Sequence, residues 1–153
     1  MRRSLLLTLA LIAVVPVAIE AQQTIDLSEL IAEGRPAPMF GEGLYLDPRT
    51  LEPYTGPVVE LHESRETVKT RGTLKDGKWD GPYLEYYEDG SLKRDFTLQD
   101  GVRHGLYAYY YNDGIPVSKG MLHMGVMCGE WTEFNFGRDH GDEQTRTVTY
   151  RPC

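Results

Sequence analysis

Gly77-Lys-Trp-Asp-Gly-Pro-Tyr-Leu-Glu-Tyr-Tyr-Glu-Asp-Gly-Ser-Leu-Lys93 carries the reading on which the fold turns. Residues 82–87 alternate with a period of two and run into Asp89-Gly90. Asp-Gly tolerates the positive φ angles of a type I′ turn, so the stretch predicts a strand that reverses into an antiparallel partner. The dipeptide recurs at Asp76-Gly77, Asp100-Gly101 and Asp113-Gly114, with successive spacings of 13, 11 and 13 residues. The alternation makes a 24-residue period, kept by Gly77, Gly101 and Gly125, by Gly81, Gly105 and Gly129, and by Leu74, Leu98 and Leu122. A fixed internal period decides architecture before any other signal.

Working outward, each unit reads as an outgoing strand, a turn and a return strand. Outgoing strands are predicted at 57–62, 82–87, 106–111 and 130–135, and return strands at 68–74, 92–98, 116–122 and 144–150. The fold class is therefore all-β: an elongated antiparallel meander of about four 24-residue hairpins over residues 43–153. The first and last units depart from the pattern, as the ends of a stacked array must. Along the outgoing strands Val58, Tyr83, Tyr107 and Trp131 share one face with Glu60, Glu85, Tyr109 and Glu133, then His62, Tyr87, Tyr111 and Asn135. A thin sheet draws much of its packing from such cross-strand aromatic contacts.

Residues 1–21 have the form of a secretory leader: Arg2 and Arg3, an apolar run over residues 5–17 broken only by Thr8, then Ala21. The run is short for a membrane span of about 20 residues; retention as an uncleaved anchor is the alternative. The expected destination is the periplasm or the exterior. Residues 22–42 read as an arm: Asp26 caps a predicted two-turn helix over 27–33, stopped by Gly34 and Pro36, and Pro36, Pro38 and Gly41 form a linker. Without the leader the chain carries 14 basic and 22 acidic residues, a net charge of −8. That sign disfavours nucleic acid and electrostatic membrane binding.

Cys128 and Cys153 are the two cysteines. If 130–136 and 144–150 form the last hairpin, Cys128 falls opposite position 152, and a disulfide to Cys153 closes the open end. Two unrelated thiols are the alternative.

The pattern Gly-x-x-x-Gly, an aromatic-rich strand, Asp-Gly and a Leu-x-Lys strand resembles the MORN repeat variant (membrane occupation and recognition nexus). Gly101-Val-Arg-His-Gly-Leu-Tyr-Ala-Tyr-Tyr-Tyr-Asn-Asp-Gly114 matches nearly as well as the stretch quoted first. The lead-in, Gly43-Leu-Tyr-Leu and Pro53-Tyr-Thr-Gly56, resembles that of bacterial YwqK-type repeat proteins labelled antitoxins. Over about residues 43–137 the resemblance implies stacked hairpins that engage another protein.

No catalytic constellation emerges. A nucleophilic Cys128 lacks a base and an electropositive setting. His62, His104, His123 and His140 have no metal-ligand spacing, and a closed zinc site takes four ligands. Glu60, Glu85 and Glu133 recur at equivalent positions, and the repeat alone accounts for them. The sequence predicts neither cofactor nor metal. It predicts a monomeric, non-enzymatic protein-interaction module whose surface is an aromatic strip of Tyr83, Tyr87, Tyr107, Tyr109, Tyr111 and Trp131. Internal sheet packing is the competing role for that strip. The alternative function is a carbohydrate-binding or cell-wall-modifying envelope protein using the strip and the repeat glutamates.

Overall fold

The computed structural model describes residues 23–34, 43–136 and 143–153. The leader, the Pro36–Gly41 linker, His140 and most of the last hairpin loop lie outside the described residues. Among the described residues eleven strands occur in order: β1 Ile25–Asp26, β2 Ile31–Glu33, β3 Leu44–Leu46, β4 Gly56–Leu61, β5 Val68–Lys75, β6 Lys78–Tyr86, β7 Leu92–Gln99, β8 Val102–Tyr110, β9 Pro116–His123, β10 Val126–Phe136 and β11 Glu143–Thr149. From β4 to β11 each strand pairs antiparallel with the next, β1 adds in parallel to β4, and β2 pairs with β3 in a separate two-stranded sheet. The molecule is nearly all β, and its main sheet is an antiparallel meander, as the turn spacing predicts.

Between Lys75 and Lys78 the chain reverses in two residues, Asp76 at φ 49° and Gly77 at φ 77°. Asp100-Gly101 repeats the geometry at φ 50° and 83°, and Met124-Gly125 at 49° and 81°. These are the angles of a type I′ turn. The other Asp-Gly pairs reverse the chain differently. Tyr87 N–H donates to Ser91 O and Gly90 N–H to Tyr87 O, and Tyr111, Ile115 and Gly114 repeat both bonds. Only glycine takes positive φ in these wider turns, except that Arg65 (φ 57°) fills the corresponding place in the first.

The outgoing strands β6, β8 and β10 begin four residues earlier than predicted. The Gly-x-x-x-Gly segments, read as connections, pair at once with the preceding strand and then bulge. Gly72 pairs Tyr83 while Leu74 pairs Trp79, so four residues of β6 span two of β5. Bulges recur beside Gly105 and Gly129, and Gly81, Gly105 and Gly129 all have positive φ. That conformation is open to glycine at little cost.

The two-turn helix is corrected. Asp26 Oδ1 does accept from Ser28 N–H at 2.9 Å, but only the 3₁₀ turn Leu27–Glu29 follows. Ile31–Glu33 instead pairs antiparallel with Leu44–Leu46. Leu30 sits 8 % exposed in the core with Val58, Leu74 and Trp79, so tertiary packing overrides the local cap.

Both rims are laced between units. Gly77, Gly101 and Gly125 N–H donate to the carbonyls of Tyr54, Trp79 and Arg103, at 2.7–2.9 Å. At the other rim Tyr87 Oη donates to Tyr110 O at 2.8 Å, and His62 Nε2 lies 3.2 Å from Tyr86 O.

Candidate functional site

The predicted strip divides by depth. Register places Val58, Gly72, Tyr83, Phe96, Tyr107 and Gly120 in one row across β4–β9, and Trp131 lies over Gly120. Ring centroids follow at 4.8 Å (Trp79–Tyr83), 4.6 Å (Tyr83–Phe96), 5.9 Å (Phe96–Tyr107) and 5.6 Å (Tyr107–Trp131). Tyr83 and Trp131 are buried and Tyr107 is half-buried. Tyr83 bonds through its hydroxyl to Thr70, and burial pushes its phenol up to about 12. Trp131 donates Nε1–H to Met121 O at 3.0 Å. These rings fill one face of the sheet. Trp79, Phe96 and Arg103, whose guanidinium lies 4.7 Å over Phe96, belong to the same layer. The sequence reading missed these three, because they sit on return strands and in segments taken for turns.

Farther along that face stand the remaining tyrosines. Tyr87 is tied to Tyr110 O, Tyr109 lies beneath Arg94 at 5.4 Å, and Tyr111 is 44 % exposed. Two of the repeat glutamates are engaged here. Glu60 bonds Lys69 at 2.7 Å, while Glu85 bridges Lys93 at 2.8 Å and Arg94 at 2.7 Å. Burial alone would raise the Glu85 carboxyl, but its two cations hold it below the usual range. A carboxylate so fixed is a poor proton donor near neutral pH.

The opposite face is open. Leu106 is 73 % exposed and pairs Met121, 42 % exposed. With Pro82, Thr97, Ala108 and Tyr110 they border a shallow groove of about 600 Å³. Lys119 Nζ stands 5.3 Å from the Tyr110 ring. A signal for this surface was present. Leu106 occupies the place held by Pro57, Pro82 and Glu130 in the other units, so no single side chain is required there by the repeat.

Cys128 and Cys153 form a disulfide with Cα atoms 5.1 Å apart. The last hairpin pairs Asn135 with Gln144, one residue from the predicted register. The bond removes Cys128 as a free nucleophile and is compatible with an oxidising, exported location. Among the described residues no helix is long and apolar enough to cross a membrane, and no three His, Cys, Asp or Glu side chains cluster as a metal site. Compared with known proteins, the chain matches no family model, no curated protein and no solved structure.

Proposed function

We propose that this chain is an exported, monomeric, non-enzymatic interaction module that receives a protein partner on the open face of its sheet. The observation that carries the reading is the exposed Leu106–Met121 pair beside Tyr110, on a face that the aromatic row does not cover. Exposed apolar groups clustered around an aromatic ring are the usual material of an interface core. The 24-residue pattern supports the reading through its likeness to MORN-type repeats. The burial of Tyr83 and Trp131 favours the open face over the aromatic row as the proposed binding surface.

The test is capture from cell-envelope extracts by the oxidised chain without its leader, compared with Leu106→Asp. Leu106 is exposed enough for the variant to keep its fold, which circular dichroism verifies. Loss of specific protein capture in the variant is expected. Equal capture by both chains overturns the reading. The carbohydrate reading keeps one favourable observation: exposed Tyr111 borders a groove with Ser118, Glu133 and Arg146. Saturable binding of a cell-wall glycan, lost in Tyr111→Ala, is its signature.

A further inference from the structure

On the open face, β8 and β9 bring two histidines together that the sequence spacing keeps 19 residues apart. Gly105 pairs Leu122, which sets His104 opposite His123, and their ring centroids stand 5.0 Å apart at an interplanar angle of 57°. The Nδ1 atom of His104 is shielded from solvent and has no hydrogen-bond partner among the described residues. An orphaned ring nitrogen is costly to bury. A shared cation would satisfy it. Imidazole nitrogens bind first-row metals at about 2.0 Å, so two rings on one ion hold their nitrogens within about 4 Å of each other. Centroids 5.0 Å apart lie within the roughly 6 Å that two imidazoles sharing one ion can span.

The surroundings specify the kind of ion. Met121, Met124 and Met127 are three of the chain's five methionines, within seven residues, and they are 42 %, 57 % and 44 % exposed. Met121 lies two residues from His123 along β9 and therefore on its face. Met124 follows His123 directly, in the type I′ turn where the two earlier units place Asp76 and Asp100. A methionine at φ 49° has no advantage as a turn former. Met127 pairs Leu122 and belongs to the other face. Both thiols are held in the disulfide, so thioethers are the soft donors on offer. Two imidazoles and one or two thioethers, with no carboxylate cluster among the described residues, suit a soft cation over calcium, magnesium or a structural zinc ion.

We propose that His104 and His123, with Met121 and Met124, form a site for a soft monovalent cation, Cu(I) or its redox-silent counterpart Ag(I). His104 and His123 lie outside the proposed partner surface, which shares Met121 with the site.

The experiment is titration of the oxidised chain without its leader by Ag(I), followed through histidine and methionine-methyl NMR resonances, with Zn(II) in a parallel arm. One equivalent of Ag(I) should shift His104, His123 and at least one of the Met121 and Met124 methyls, leaving His62 and Met127 unmoved. His123→Gln should weaken Ag(I) binding by at least the roughly 10-fold that losing an outer-shell partner costs. Because His123 is exposed, that variant tests the ligand and not the fold; Met121→Leu supplies an independent second variant and should weaken Ag(I) but not Zn(II). The proposal is overturned if Ag(I) does not saturate at one equivalent, if both variants bind as the parent does, or if Zn(II) binds more tightly than Ag(I).

Discussion

At Gly120 an added Cβ would run into the indole of Trp131, although the backbone there is not left-handed. Gly72 stands in the same relation to Trp79, whose Cζ3 would lie 2.8 Å from such a Cβ. Each glycine leaves room for a tryptophan ring to lie against the sheet. Gly120→Ala should therefore destabilise by about 1–3 kcal/mol, the usual range for overpacking. Urea unfolding will show it as a lower midpoint at unchanged slope. At Tyr83 the cost appears in pH. Its phenol is raised from 10.0 to about 12, so the unfolded chain ionises first as pH rises. Stability from this group is complete below the unfolded pKa and lost as pH climbs through 10 towards 12. Tyr83→Phe should fold and should flatten the alkaline limb of a stability–pH curve. At the acid end the sign reverses. The depressed Glu85 carboxyl stabilises above its unfolded pKa and ceases to do so as pH falls through its folded value.

Strands and turns were legible because they depend on local chemistry. Asp76-Gly77 and Asp100-Gly101 adopt the turn that their composition prescribes, and the return strands Val68–Lys75, Leu92–Gln99 and Pro116–His123 begin where predicted. Elements that depend on distant partners were not. Nothing near Ile31–Glu33 announces pairing with Leu44–Leu46 across a proline-containing linker, and the capping signal of Asp26 is real but yields a single turn. The bulges beside Gly81, Gly105 and Gly129 looked like loops because two glycines four residues apart usually mark one. The His104–His123 pair is hidden for a related reason: the two residues are 19 apart along the chain, and only the register across strands brings their rings together. At the far end the disulfide ties Cys153 back to β10 beside the edge strand β11. Closing a loop of this length contributes about 3 kcal/mol on the chain-entropy model. Reduction should thus accelerate amide exchange in β11 first, with β6 and β7 still protected. Uniform acceleration across all strands would show that the bond supports the whole sheet and not its end.

For the whole molecule, the structure separates what one row of aromatic residues had seemed to combine. Beyond the end where Leu30, Tyr45 and Tyr54 pack against it, the main sheet has no second layer among the described residues to bury its apolar face. Here rings from successive units cover one another from Tyr45 through Trp79 and Tyr83 to Trp131 and Tyr150. Residue type and strand period showed that the row exists and shares a face. They did not show its depth, which depends on the glycines beneath Trp79 and Trp131 and on Arg103 above Phe96. This row is the interior of the protein, which leaves the other face exposed for the proposed partner. Both tryptophans of the chain belong to the row and are 3 % exposed. Iodide quenching of tryptophan fluorescence in the native, oxidised chain tests the claim directly. Blue-shifted emission is expected, with quenching far below that of the urea-unfolded chain. Emission and quenching matching the unfolded chain, in a protein that keeps its β circular dichroism, would contradict it.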